Sequence, residues 1–503
     1  MQVTEIHSVL PLLIFLVPIA FSIPILTLGR RFRAFREWFS LAGLIVTFLL
    51  TVLIYRHIIT PGGLKALIWY DWFYLDGLSL LMAFVVSIIG IIAVLYSTKY
   101  LTSKGPGSSI NEKKLSLYYG LLLLFSGLMN WGFVVNSLIM LYVTLEASTL
   151  ATVFLVAFDG QRKSIEAGFK YVLLISVGMI FSLVAALLLY SVLGTGPALF
   201  INNLGGRVPG IPRTIALVSC ALFIVGFGTK AGLMPFHAWL PDAHAEAPAP
   251  ISALLSGVII KMGAYALART VTVFAPHYRE IGIFIAIIGS VSMILGIIMA
   301  LAQDDLKRLL AYSSVTQTGY IVAGLGLGTY LGLYGGLFHL INHAIFKGLL
   351  FFCSGALLYA AGSRSISELS AIPKKMKVTA FCFFVAALAL GGMPPFNGFM
   401  SKFTIFVALA GSGLLWAAII SAIAAFLTTV CLVHAAYRIF WTKPVPAANS
   451  NPVAKDAQEV PALMWGGMLF LAILCILIGV YPQAIYPLLN SAVNGVLAIS
   501  AAP

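Results

Sequence analysis

Apolar runs long enough to cross a bilayer, roughly 20 residues each, follow one another along the chain, separated by short segments that collect Lys, Arg, Gly and Pro. They predict fourteen spans, at residues 8–28, 39–58, 77–97, 115–131, 133–157, 166–193, 213–236, 250–273, 278–301, 311–328, 330–361, 377–410, 413–441 and 462–482. The apolar tail from Tyr486 to Pro503 either extends the last span or lies along the interface. The first run has no basic region before it and no small-residue cleavage site after it, so it reads as the first helix rather than a leader. Composition agrees with the pattern: 61% hydrophobic residues, 9% charged residues and a mean hydropathy of +1.03 exclude a water-soluble surface. The fold class is an all-α polytopic membrane protein.

Charge then orients the spans, because Lys and Arg in short loops accumulate on the cytoplasmic side. Loops after odd-numbered spans hold nineteen basic residues, from Arg30, Arg31, Arg33 and Arg36 after the first to Arg438, Lys443 and Lys455 after the thirteenth. Loops after even-numbered spans hold six: Arg56, Lys65, Arg207, Arg213, Arg269 and Arg279. Odd loops are therefore expected in the cytoplasm, with both termini outside. The formal charge of +14 is largely topology, and no nucleic-acid partner is implied.

Five lysines remain inside apolar segments: Lys170, Lys230, Lys261, Lys347 and Lys402. A charge at the centre of a spanning helix costs at least about 2.5 to 3.5 kcal/mol, so these residues call for a function, and ion conduction is the natural one. Glu146, with more than ten mostly apolar residues on each side, is the one carboxylate expected at mid-membrane depth. The five cysteines, Cys220, Cys353, Cys382, Cys431 and Cys475, lie in apolar segments at no metal-ligand spacing. They read as packing residues, so no metal or other cofactor is expected.

A short string recurs. GLMPFHAW at 232–239 is echoed by GGMPPFNGF at 391–399. Proline inside a spanning helix frees backbone groups, and such breaks at corresponding places in two halves mark transport sites. Lys230 precedes the first break and Lys402 follows the second. The pattern predicts two inverted repeats, residues 115–273 (spans four to eight) and 278–441 (spans nine to thirteen), with spans seven and twelve broken. Residues 1–114 hold the first three spans and 442–503 the last helix and tail. The alternative is that Gly and Pro merely punctuate loops.

His339, His343 and Lys347 stand at i, i+4 and i+8 and share one helix face. Imidazole changes charge near neutral pH, and an ammonium taken out of water releases its proton more readily, so such a stripe suits a proton relay. Other readings are a di-histidine metal or haem site, or two structural histidines. Glu146 and Lys230 supply opposite charges to the first repeat and would form a switchable pair, with Lys261 next along the path; structural pairing is the alternative. Lys170 lies about a turn from a helix start, where it can snorkel to the interface. His237, Asp242, His244 and Lys307 are secondary candidates.

LPDAHAEAPAPISALLSGVIIKMGAYAL at 240–267, DDLKRLLAYSSVTQTGY at 304–320, HLINHAIFKGLLF at 339–351 and PPFNGFMSKF at 394–403 resemble the antiporter-like subunits. These are the proton-translocating membrane subunits of respiratory complex I, of membrane-bound hydrogenases and of Mrp cation/proton antiporters. The resemblance spans about residues 75–440. It implies fourteen core helices, inverted five-helix repeats and broken seventh and twelfth helices. By the same resemblance Glu146 matches the fifth-helix glutamate, Lys230 its seventh-helix lysine partner and Lys261 the central eighth-helix lysine. The His339–Lys347 segment matches the eleventh-helix relay, and Lys402 the terminal group of the twelfth. By the resemblance Lys402 points to the lysine-bearing lines, a length of 503 residues with about twenty after the last helix excludes the long version with a lateral helix, and PPFNGF with its following Ser-Lys is closer to the Mrp and hydrogenase lines than to mitochondrial-type complex I.

The chain carries no nucleotide loop, redox-ligand cluster or nucleophile constellation, and its glycine strings read as helix-packing sites. The expected function is proton translocation within a multisubunit ion-transport complex of the cell membrane, with redox chemistry, if any, supplied by partners. Expected partners are homologous antiporter-like subunits, small membrane subunits, a peripheral redox arm in redox-driven versions, the lipid bilayer, and protons or sodium as cargo. A complex I subunit, a self-sufficient secondary transporter and a passive membrane scaffold are the alternatives.

Overall fold

A computed structural model describes residues 9–58, 66–68, 72–101, 111–194, 200–369, 376–442 and 457–500. Its helices are α1 (Leu10–Leu28), α2 (Arg33–Ile58), α3 (Gly77–Tyr100), α4 (Glu112–Val134), α5 (Leu138–Val156), α6 (Arg162–Leu193) and a short α7 (Leu204–Arg207). They continue with α8 (Arg213–Ala231), α9 (Trp239–Glu246), α10 (Ala249–Leu254), α11 (Ile260–Arg269), α12 (Val271–Phe274), α13 (Arg279–Leu301) and α14 (Leu306–Leu325). The last are α15 (Tyr330–Ala361), α16 (Lys377–Gly391), α17 (Asn397–Gly411), α18 (Leu415–Phe440), α19 (Ala462–Val480) and α20 (Tyr486–Ser500). Among the described residues, twelve helical stretches are long and apolar enough to cross a membrane.

Local chemistry sets many of the ends. Asp76, Asp305 and Thr329 cap α3, α14 and α15 by accepting from the backbone N–H of Ser79, Arg308 and Gly332. Predicted span seven, 213–236, holds α8, which stops at Gly232 (φ +72°), while α9 begins at Trp239, beyond the predicted end. Span twelve is two helices, α16 stopping at Gly392 (φ +89°) before α17. Both glycines occupy the left-handed region in which a Cβ is costly, and cis peptides precede Pro235 and Pro395 in the two breaks.

Predicted span eight is continuous from Ala249 to Phe274 and wholly buried, the centre of the bundle. A single π-helical turn, Leu255–Ile259, interrupts it just before Lys261. Small residues let neighbouring helices close up. A Cβ on Gly226 of α8 would fall 2.7 Å from Ser182 of α6, and one on Gly319 of α14 would fall 2.5 Å from the Gly289 carbonyl of α13. These glycines act as packing sites.

Four expectations change. An antiparallel hairpin, Ala66–Ile68 with Phe73–Leu75, precedes α3, where no strand was expected; its aromatic run buries Tyr74. The tail forms a separate helix, α20, whose Gly495 packs directly against the Asp76 carboxylate. Arg269, counted among loop charges, is the last residue of α11 and is fully buried in a two-pronged ion pair with Asp76, with bonds of 2.7 and 2.5 Å. Arg36, also counted as a loop charge, lies buried within α2, bonded to Glu112 and to the Gly29 carbonyl. A charge count reads neighbours in sequence, not the carboxylate that a distant helix supplies. Lys65, Lys104, Lys374, Lys375, Lys443 and Lys455 of that count lie outside the described residues.

Candidate functional site

Four of the five lysines singled out from the sequence are buried: Lys230, Lys261, Lys347 and Lys402. Lys170 departs from them. Half exposed on α6, it pairs with Glu166 at 3.0 Å and Asp242 at 3.2 Å.

An ammonium has three protons to donate, and Lys230 Nζ places all three on α5: Leu145 O at 2.7 Å, Ser148 Oγ at 3.0 Å and Thr149 Oγ1 at 2.6 Å. The expected Glu146–Lys230 contact is not made. Glu146 instead accepts from Ser176 of α6 through Oε2 at 2.8 Å, while its buried Oε1 has no protein partner. Lysine and carboxylate thus meet the same turn of α5, the ammonium solvated by neutral oxygens.

The central cluster joins the two predicted repeats. Lys261 Nζ donates to the Ser256 carbonyl in the π-helical turn and lies 2.5 Å from His343 Nδ1 of α15. With Nδ1 accepting, the imidazole carries its proton on Nε2, and that atom has no protein partner. One turn away, His339 bridges two helices, with Nε2 3.1 Å from Gln317 Oε1 and Nδ1 3.0 Å from Ser401 Oγ. The two rings are nearly parallel, their centroids 6.3 Å apart. Gln317 Nε2 and Thr316 Oγ1, on α14, are buried without a protein partner, the usual mark of positions that ordered water satisfies.

Lys402 follows Ser401 on α17 and donates to Leu390 O at 2.7 Å and Gly391 O at 3.2 Å, its ammonium 4.7 Å from the centre of the Tyr320 ring. Those carbonyls are the last of α16. The break leaves them without an intrahelical donor at the negative end of the helix dipole, where a cation is favoured. Lys347, two turns beyond His339 on α15, donates to Leu310 O and Ser313 Oγ, both at 2.5 Å.

Of the secondary candidates, Lys307 Nζ donates to Ala247 O at 2.6 Å, and Asp242 is held between Lys170 and Arg308. His237 is half buried, its Nδ1 unpartnered, with its ring near Tyr312. His244 is fully buried with neither ring nitrogen partnered and lies flat on Phe351, centroids 4.6 Å apart.

Sequence reading missed the hydroxyl and amide bridges Ser148, Thr149, Ser176, Ser256, Ser313, Gln317 and Ser401. The polar string SSVTQT inside α14 is the visible signal for Ser313 and Gln317. It also missed the Asp76–Arg269 network, which Tyr74 and Tyr265 flank at 5.5 and 5.0 Å from the guanidinium. The five cysteines are buried and free. Among the described residues no cluster of three or more His, Cys, Asp or Glu could hold a metal ion.

Comparison with known proteins adds kinship to this geometry. The family model described as NADH:quinone oxidoreductase/Mrp antiporter, TM, matches residues 135–428. The one described as NADH-ubiquinone oxidoreductase (complex I), chain 5 N-terminus, matches residues 72–108. NADH-quinone oxidoreductase subunit N of Desulforudis audaxviator is 34% identical over 81% of this chain and 81% of its own length. Hydrogenase-4 component B of Escherichia coli is 32% identical over 82% of this chain, and Na(+)/H(+) antiporter subunit A1 of Staphylococcus haemolyticus is 30% identical over 97%. This chain spans 63% of the length of each of those two. A chain of the membrane-bound sulfane sulfur reductase, an archaeal respiratory membrane complex, is 25% identical with a TM-score of 0.86, covering 98% of this chain and 99% of that one. A chain of the Mrp complex from Dietzia sp. DQ12-45-1b shares the fold at a TM-score of 0.85 and 22% identity, covering 97% of each. Two-thirds or more of the chain aligned at above 30% identity, and a family match across more than half of its length, leave one conclusion: the protein belongs to the NADH:quinone oxidoreductase/Mrp antiporter transmembrane family.

Proposed function

We propose that this chain is a proton-translocating membrane subunit of a multisubunit ion-transport complex, moving protons along a relay of buried side chains. The observation that carries the reading is the 2.5 Å contact between Lys261 on the central helix and His343 on α15, which links two arrays of otherwise isolated buried cations. The relay runs from Glu146 and Lys230 to Lys261, along His343 and His339, with Lys347 beside them, and out by Ser401 and Lys402. Lysine and histidine are suited to it because each carries a proton in one state and a lone pair in the other.

In this reading residues 115–273 and 278–441 are the two inverted repeats, with the first three spans in 1–114 and the last helix and tail in 442–503. The odd loops face the cytoplasm and both termini face out, in the cell membrane. Homologous antiporter-like subunits, small membrane subunits and, in a redox-driven version, a peripheral arm are its partners. An Mrp-type antiporter or a membrane-bound hydrogenase-type complex is favoured as the parent, with a complex I subunit as the alternative. Relatives named for all three differ by only a few per cent in identity to this chain. Sodium is the second candidate cargo.

The test compares parent, E146Q and K402A complexes in inverted membrane vesicles with a pH-sensitive dye. Assembled complexes whose proton flux falls about tenfold or more support the relay. Normal pumping in both variants overturns it and favours the passive scaffold.

A further inference from the structure

A charged cavity of about 350 Å3 lies beside α9, outside the relay described above. Its walls come from separate parts of the chain: Lys163, Glu166 and Lys170 from α6, Asp242 and Glu246 from α9, Arg308 from α14, and Arg364 beyond the end of α15. So many charges around one space are affordable only where water reaches them. Lys163, Arg308 and Arg364 belong to loops or helix starts on the side richer in Lys and Arg, which the charge rule places in the cytoplasm.

Asp242 spans this cavity. One carboxylate oxygen accepts from Lys170 at 3.2 Å and the other from Arg308 at 2.7 Å, so a single side chain ties α6, α9 and α14 together. Behind it the end of α9 is held by cations on its free carbonyls: Arg364 donates to Ala245 O at 2.5 Å and Lys307 to Ala247 O at 2.6 Å. His244 lies on the same short helix, two residues beyond Asp242, fully buried with both nitrogens unpartnered. The Phe351 ring that stacks on His244 also lies 5.9 Å from Lys347 Nζ. Asp242 thus lines the cavity two residues before His244, and Phe351 lies against both His244 and Lys347.

We propose that this cavity is the mouth through which the relay exchanges protons with cytoplasmic water, that the Lys170–Asp242–Arg308 bridge is its latch, and that His244 is the first buried carrier behind it. The inference rests on the relay reading above. The proton passes from water in the cavity to one imidazole nitrogen while the other releases its proton towards Lys347, so the ring ends neutral.

The test uses the whole complex in inverted vesicles, which expose the cytoplasmic face, and a bulky membrane-impermeant methanethiosulfonate. The native cysteines are all buried, so the parent protein is a built-in control. In an E166C variant the introduced thiol is expected to react, proton flux is expected to fall at least about fivefold on modification, and D242N in the same background is expected to speed the reaction several-fold. No reaction, or full modification by mass with unchanged flux, overturns the mouth. An unaltered rate with D242N overturns the latch, and unchanged flux in H244F overturns the carrier. A K261M complex run alongside separates the two proposals. If K261M transports normally, the relay fails; if K261M is inactive while modified E166C transports normally, only the mouth fails.

Discussion

Lys261 Nζ and His343 Nδ1 lie 2.5 Å apart, side chains from segments 82 residues apart in sequence, both without exposure to solvent. At that separation one nitrogen donates a hydrogen to the other, so a proton has a direct path between the amine and the ring. A proton arriving at Nδ1 frees the one on Nε2, and the nearly parallel ring of His339 lies 6.3 Å away between centroids. Replacing His343 by Phe keeps the ring and removes both nitrogens. Proton flux through the H343F complex is expected to fall about tenfold or more, a barrier increase of about 1.4 kcal/mol per factor of ten, with assembly retained. Dye-monitored uptake in inverted vesicles and the yield of extracted complex measure the two quantities separately.

Ser176 is the hydroxyl bonded to Glu146. S176A leaves the carboxylate in place but removes its donor, so a fall of a few-fold is expected, milder than in E146Q. Equal losses in the two would mean that Ser176 does more than orient the carboxylate.

Asp76 and Arg269 are a buried ion pair, and removing one partner of such a pair strands the other charge at a cost of about 3 to 5 kcal/mol. D76N is therefore expected to lower the thermal midpoint and the yield of the extracted chain. A D76N/R269M double variant should recover much of the loss, because it leaves no unpaired cation. A double variant no better than D76N would show that the pair contributes more than charge compensation. Thermal unfolding in detergent, read by loss of the monodisperse peak, distinguishes these outcomes.

Gly398 lies in the first turn of α17, just past the second break: a Cβ there would come within 1.8 Å of the Ala389 carbonyl, whereas one at Gly411 meets nothing within 4 Å. G398A is expected to destabilise the chain by about 1 to 3 kcal/mol and to disturb Lys402, whose acceptors lie at that same helix end. G411A should be silent. Matching thermal midpoints for the two would contradict the packing.

Asp304, in the turn between α13 and α14, is exposed, and the partial loss of water around its carboxyl would by itself raise it. The Ser365 and Ser367 hydroxyls, the Ser367 amide and nearby Arg438 nevertheless hold it below its ordinary value. The folded form thus gains stability from the ionised group above the unfolded aspartate range, near about 3.9, and loses it as pH falls through the lower folded value. Amide protection over 365–369 is expected to decline only below about pH 4. In D304N it should be weaker at neutral pH and insensitive to acid over that window.

Much of the architecture was legible in sequence because the bilayer simplifies the problem: a backbone in hydrocarbon must satisfy itself, so apolar runs become helices and their Gly-Pro interruptions become breaks. The breaks at Gly232 and Gly392, and the burial of Lys230, Lys261, Lys347 and Lys402, follow from residue type and local spacing alone. The His339–Lys347 stripe is equally local, one face of one helix. Which groups meet across helices is not local. That Lys230 takes its bonds from α5 hydroxyls and a carbonyl rather than from Glu146, that Lys261 finds His343, that Lys402 is held by the end of α16 and that Arg269 is matched by Asp76 each depend on helix packing. A hydrogen bond is won or lost within a few tenths of an ångström, and helical periodicity, which gives a residue's face but not its neighbour, cannot supply that.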